Sequence, residues 1–137
     1  CIVCENWEGT HFILWMQILR DIGKFQVDTL FHQHIQTLIV TIKDKRCQSC
    51  LMENSQQLAD NLEQFRVLRE EEQTLRIQDI VKQMAVLLSA VTLAMEIQHD
   101  KPPKSKEASL ILFIRKYINA RYCLEEEYLT LLEKVIK

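Results

Sequence analysis

The chain has 137 residues, of which 26% are charged and 47% are apolar, and its net charge is −2. A chain of this length buries roughly two thirds of its unfolded surface, so we predict one domain, residues 1–137, that folds without an obligatory metal or disulfide. The near-neutral charge provides no field for nucleic acid or for an anionic membrane, and we therefore predict no nucleic-acid partner.

The most apolar part of the chain extends from Met84 to Ile97. It covers about 14 residues, fewer than the ~20 that a bilayer-spanning helix needs. This length predicts a buried core helix and no membrane span.

The beginning of the chain and its cysteines bear on the compartment. The first residue is Cys, and no charged, apolar, small-residue leader follows it, which is typical of a mature secreted protein or of an excised domain. The chain has five cysteines, an odd number, and no Asn-x-Ser/Thr glycosylation site. These two features favour an intracellular protein, while the initial Cys keeps a secreted protein as the alternative.

Two helices are predicted after an irregular N-terminal segment, residues 1–10. In the first, apolar residues recur at intervals of three and four from Phe12 to Ile22, and Gly23 is expected to interrupt it. In the second, the same spacing runs from Val27 to Ile42 and ends at the charged break Lys43–Arg46.

A long helical stretch follows, without Gly or Pro from Cys50 to Pro102, and it is expected to divide near Arg69–Gln73. The stripe of its first half consists of Leu58, Leu62, Phe65 and Leu68. Its second half has one stripe at Ile77, Val81, Met84, Leu88, Val91 and Met95, and another at Leu87, Ala90 and Ala94. A helix that is apolar on two sides belongs at the centre of a bundle.

The paired prolines Pro102 and Pro103 make residues 99–104 the clearest linker, because proline cannot continue a helix. The segment after the linker has positions that alternate at intervals of four and three. They are Leu110, Ile114, Tyr117, Arg121, Leu124, Tyr128, Leu131 and Val135. This pattern predicts a long C-terminal helix with a heptad seam, which packs inside the bundle or pairs with a second copy of the chain.

Together these elements predict an all-α fold, a single-domain bundle of five or six helices. The alternation and the turn dipeptides of β-strands are both missing. The C-terminal heptad seam is unusually polar for a closed core, because it contains Tyr117, Arg121 and Tyr128. We predict that these three residues bind a protein partner or a second copy of the chain through a helix face.

The cysteines are the chemistry most easily recognised in the sequence. Two Cys-x-x-Cys pairs, Cys1–Cys4 and Cys47–Cys50, together supply the four thiolates of a tetrahedral zinc site. The same four residues could instead form disulfides between the pairs, or remain free thiols. The cofactor prediction is therefore either none or a structural zinc ion. Cys123 is expected to be structural and not a nucleophile.

Histidines and carboxylates are weaker candidates for metal ligands or catalytic groups. His34 lies beside an apolar stripe and is expected at the boundary of the core, whereas His32 and His34 are two residues apart and do not share a helix face. The acidic triplets Glu70–Glu72 and Glu125–Glu127 are expected to be solvated. No phosphate-binding glycine loop or Ser-His-Asp set is recognisable.

These observations favour a protein that binds another protein and catalyses no reaction. The leading interpretation is an intracellular adaptor or regulatory module, with a zinc ion at its N-terminus if the cysteines bind metal. The alternative is a secreted, cytokine-like helical ligand with disulfides between the two cysteine pairs. An enzyme is not predicted, since polar residues suited to catalysis are not grouped.

Overall fold

The structure is a computed structural model that describes residues 11–99, 104–118 and 135. Across these residues it contains no strand, which confirms the predicted all-α bundle. The helices are α1 (His11–Phe25), α2 (Val27–Val40), α3 (Lys45–Arg66), α4 (Glu70–His99) and α5 (Lys104–Phe113), and a π-helical turn (Ile114–Ile118) follows α5. The predicted irregular segment, residues 1–10, and residues 100–103 of the predicted linker lie outside the described residues.

Helix α4 is the centre of the bundle. It has 30 residues, and it contacts α1, α2, α3 and α5. Both of its predicted apolar stripes reach the core, at Ile77 and Val91 in the first stripe and at Leu87, Ala90 and Ala94 in the second. Leu88 departs from the prediction because it is 41% exposed. The two stripes therefore meet in one broad buried face, with Leu88 outside it.

Helix α4 is also long and apolar enough to cross a membrane, by length and composition alone. It is the one such helix among the described residues, and the mean hydropathy of its most apolar 18-residue window is 1.7. Of that window, 28% is buried within the bundle. A core helix of a soluble bundle passes the same test of length and hydropathy, so the absence of a membrane span stays a prediction.

Helix α3 begins where the sequence has its charged break. Asp44 caps the helix, since its Oδ1 accepts hydrogen bonds from the backbone N–H groups of Arg46 (2.9 Å) and Cys47 (3.3 Å). The predicted stripe of Leu58, Leu62 and Phe65 is buried against α4 and the rest of the core. The cap thus fixes the start of the helix whose first two turns contain the second cysteine pair.

Three glutamine side chains bind the exposed ends of neighbouring helices. The Gln48 side-chain amide donates to the carbonyls of Ile39 (3.2 Å) and Val40 (3.1 Å) at the end of α2. Gln73 donates to the carbonyls of Phe65 (3.0 Å) and Arg66 (3.3 Å) at the end of α3. Gln98 accepts from the backbone N–H of Lys43 (3.1 Å) and donates to the carbonyl of Thr41 (3.1 Å). Carbonyls at a helix end have no partner within the helix, so these bonds satisfy them and fix the connections.

Helix α1 extends beyond its predicted C-terminal end. Gly23 does not interrupt it, and the helix continues to Phe25. A glycine in a helix interior costs about 1 kcal/mol relative to alanine, which weakens a helix without ending it. Ile22 is the one buried residue of α1, and Phe12, Ile13 and Leu14 are exposed.

The heptad-patterned segment is described only in its first part. Leu110 is buried as predicted, and α5 then gives way to the π-helical turn at Ile114. A π-helical turn is wider than an α-helical one, so the α-helical spacing of the heptad does not continue unchanged through Tyr117. The rest of the predicted seam lies outside the described residues except Val135, which is partly exposed.

Candidate functional site

The second cysteine pair lies in the first two turns of α3. Cys47 and Cys50 are three residues apart, and both are half-buried. Burial raises the pKa of the Cys47 thiol from 9.0 to about 11, and the nearby Asp44 carboxylate and Cys50 add to the rise. A thiol with so high a pKa is protonated at neutral pH, so Cys47 is a poor nucleophile. It would have to lose this proton before its sulfur could bind a metal ion.

The predicted zinc site is only half described. Cys1 and Cys4 lie outside the described residues, as does Cys123. In the part of the chain that the structure describes, no three His, Cys, Asp or Glu side chains are grouped so as to hold a metal ion. Zinc, a disulfide between the pairs and free thiols all remain predictions for Cys1, Cys4, Cys47 and Cys50.

Of the three predicted partner-binding residues, Tyr117 is described, and it lies on the π-helical turn. Its side chain is 53% exposed, and its ring lies against that of Phe113 at a centroid distance of 4.8 Å. The Lys116 ammonium lies 5.1 Å from the centroid of the Tyr117 ring. Arg121 and Tyr128 lie outside the described residues.

Tyr117 lines an open groove of about 300 Å³ between α3 and α4. The buried side chains of Leu58 and Leu87 form its floor. Polar side chains form most of its rim: Asn54, Gln57 and Asn61 from α3, and Lys82 and Gln83 from α4. Across the groove, Asn61 donates a hydrogen bond to Gln83 Oε1 at 2.8 Å. The exposed aromatic ring therefore lies beside a surface that offers both hydrogen-bond donors and acceptors.

A serine and a histidine meet between α2 and α3. The Ser55 hydroxyl lies 3.3 Å from His32 Nδ1. Ser55 is fully buried, so no substrate reaches its oxygen, and the pair is suited to joining two helices and not to nucleophilic catalysis. The prediction for His34 is wrong, because His34 is exposed and His32 faces the core. The stripe of α2 continues through Ile39 as well as Leu38, which turns the buried face toward His32.

A buried carboxylate was not singled out by the sequence pattern. Asp28, in the first turn of α2, is 1% exposed, and its Oδ2 accepts hydrogen bonds from Arg66 Nε (2.9 Å) and Nη2 (2.6 Å). Arg66 Nη2 also donates to Thr29 Oγ1 at 2.8 Å. The second carboxylate oxygen of Asp28, Oδ1, is buried without a hydrogen-bond partner. The arginine thus ties the start of α2 to the end of α3.

The predicted solvated face at Glu70–Glu72 agrees with the structure, since Glu70 and Glu71 are exposed and Glu72 is partly exposed. Glu72 accepts a hydrogen bond from the side chain of Arg69 at 3.3 Å. This carboxylate is therefore part of a surface ion pair three residues apart. The second triplet, Glu125–Glu127, lies outside the described residues.

Comparison with known proteins gives this chain no relative. No protein-family model, no curated protein and no solved structure matches it.

Proposed function

We propose that this chain is a non-catalytic, helical protein-interaction domain, an adaptor or regulatory module whose binding face lies on the segment that follows α4. The observation that supports the proposal is Tyr117. A tyrosine that is half exposed, lies against Phe113 and borders a groove provides a large, rigid contact area and a hydroxyl group. Such aromatic residues supply most of the binding energy in many interfaces.

The surroundings of Tyr117 fit this role. Buried leucines under the groove hold its floor rigid, and the polar rim provides hydrogen bonds to a partner without exposing a wide apolar surface. A core of one or a few anchors surrounded by polar contacts is the usual anatomy of a non-obligate interface. The partner is a protein or a second copy of this chain.

A photo-crosslinking experiment tests the proposal. The photoreactive residue p-benzoylphenylalanine replaces Tyr117 in the full chain. In a control protein it replaces Val67, which is 84% exposed, lies in the turn between α3 and α4, and does not line the groove. We expect a saturable crosslink from position 117 to one defined chain. Unlabelled wild-type protein should compete for this crosslink, and the Tyr117→Ala variant should compete at least about tenfold less well.

Three results would count against the proposed function. The first is an absence of crosslinks from position 117. The second is the same set of crosslinks from positions 117 and 67. The third is equal competition by wild-type protein and Tyr117→Ala, because a ring that carries binding energy cannot be removed without loss of affinity.

A further inference from the structure

We propose that α1 is a hinged cover, which opens about Gln26 while α2 stays fixed to the bundle. In this proposal α1 leaves and rejoins the core as a unit, under conditions in which α3 and α4 remain folded. It does not depend on the protein-interaction role of Tyr117, which lies on another element.

The hinge is a strained residue. Gln26 alone separates α1 from α2, and it has φ 52° and ψ 41°, the left-handed conformation. It is the one non-glycine residue with positive φ among the described residues. Glutamine adopts this conformation at an energetic cost, and its side chain makes no capping hydrogen bond to offset that cost. Closure of α1 onto the bundle therefore requires Gln26 to keep a strained backbone, and opening releases it.

One side of the hinge is fixed. The carbonyl of Gln26 accepts from the N–H groups of Thr29 (3.1 Å) and Leu30 (3.3 Å), which places it at the start of α2. Two and three residues further on, Asp28 and Thr29 are bound by Arg66 from the end of α3. Separation of α2 from the end of α3 would therefore break the three hydrogen bonds that Arg66 makes to Asp28 and Thr29.

The other side of the hinge is loosely held. In α1 one residue, Ile22, is buried, against five in α3 and six in α4. An open cavity of about 270 Å³ lies between the end of α1 and the bundle, lined by Leu19, Gly23 and Phe65 among others. A Cβ atom added at Gly23 would meet nothing within 4 Å. Poor packing and few buried residues are the features of segments that open before the whole protein unfolds.

Opening would have a chemical consequence. The partly buried Trp15, Ile18 and Leu19 pack against the core together with Ile22. When α1 leaves, this apolar face and Phe65 on the bundle become accessible together. Opening of α1 thus exposes an apolar surface that is covered in the closed state.

Hydrogen exchange on the full chain, resolved by residue, tests the hinge. We expect the amides from Leu19 to Phe25 to exchange as one group, about 100-fold faster than those from Leu87 to Ala94 in α4. Gln26→Asn should slow exchange in α1 by about threefold, because asparagine tolerates the left-handed conformation better. Gly23→Ala should slow it by about fivefold, since alanine favours the helix and has room.

The matched control is Gln33→Asn, the same substitution at an exposed position inside α2. It should not slow exchange in α1. The proposal is overturned if Leu19–Phe25 exchanges as slowly as α4 and exchange becomes faster only toward His11, which is simple fraying. It is also overturned if Gln26→Asn leaves α1 unchanged, or slows α1 and α4 by the same factor, because strain at 26 then acts on the whole fold and not on a hinge.

Discussion

The Arg66–Asp28 pair makes the strongest energetic prediction of the structure. Replacing Arg66 with methionine keeps much of the aliphatic side chain but removes two hydrogen bonds, of 2.9 and 2.6 Å, from a carboxylate that is 1% exposed. Asp28 Oδ1 has no other partner, so the buried charge would lose all the side-chain hydrogen bonds it has. Breaking a fully buried ion pair costs about 3–5 kcal/mol, because the remaining charge is stranded.

Arg66 itself is 44% exposed, so water can partly replace it, and we expect Arg66→Met to lower the free energy of unfolding by about 2–3 kcal/mol. Urea denaturation followed by circular dichroism measures this value. The control is Arg69→Met, which removes a surface ion pair with Glu72 and should cost about 0.5 kcal/mol or less. The double variant Asp28→Leu, Arg66→Met should recover part of the loss, since no charge is then stranded. A loss at Arg66 no larger than that at Arg69 would refute the reasoning.

Two further perturbations follow from the core and from Cys47. Ala90 is fully buried in α4, so Ala90→Leu should overpack the core and cost about 1–3 kcal/mol, whereas Ala85→Leu on the exposed side of the same helix should change stability by less than about 0.5 kcal/mol in urea denaturation. The raised pKa of Cys47 means that the folded state keeps its proton between pH 9.0 and about 11 while the unfolded state loses it, so stability is complete below pH 9 and falls as pH rises through this window. Because the thiol is only half-buried, we expect a loss of about 1 kcal/mol, present in wild-type protein and absent from Cys47→Ala. A pH dependence that is unchanged by Cys47→Ala would contradict the assignment to Cys47.

Much of the fold could be predicted because it depends on spacing along the chain. Apolar residues repeat at the helical period in both α3 and α4, and burial of one face of each helix follows from that period. The buried residues include Leu58 and Phe65 in α3 and Leu87 and Val91 in α4. The division before Glu70 was also predicted, although no Gly or Pro marks it. Periodicity does not specify how much of an apolar face the neighbouring helices cover, and Leu88, which is 41% exposed, is the example.

The connections between helices could not be predicted, because they depend on hydrogen bonds from a side chain on one helix to the end of another. The side chains that make these hydrogen bonds to backbone groups at helix ends are Gln48, Gln73 and Gln98. The groups are close in space, but those bound by Gln98 are more than 50 residues away in sequence. Glutamine has no preference for such positions that a single sequence reveals. The burial of Asp28 has the same origin, since an aspartate near the start of a helix is ordinarily a solvated residue that favours the helix dipole.

The candidate chemistry was less predictable than the fold for a related reason. A Cys-x-x-Cys pair specifies two thiols on one turn, which the structure has at Cys47 and Cys50, but the sequence does not specify their surroundings. Here the helix cap brings the Asp44 carboxylate beside Cys47, and a negative charge opposes the thiolate. Burial is the larger cause of the raised pKa of the Cys47 thiol, and the carboxylate that starts the helix adds to it.

The position of Ser55 and His32 in the bundle likewise determines what chemistry they can perform. A hydroxyl within 3.3 Å of an imidazole is the geometry of an activated nucleophile, yet Ser55 lies between α2 and α3 and is fully buried. Access for a substrate would require α2 to separate from α3, and the Arg66–Asp28 pair opposes that separation at the start of α2. If the hinge at Gln26 opens, it moves α1 and leaves α2 in place, so opening of the cover exposes apolar surface and keeps the Ser55 hydroxyl buried. The Ser55–His32 pair, the one Ser–His contact among the described residues, therefore serves to hold two helices together.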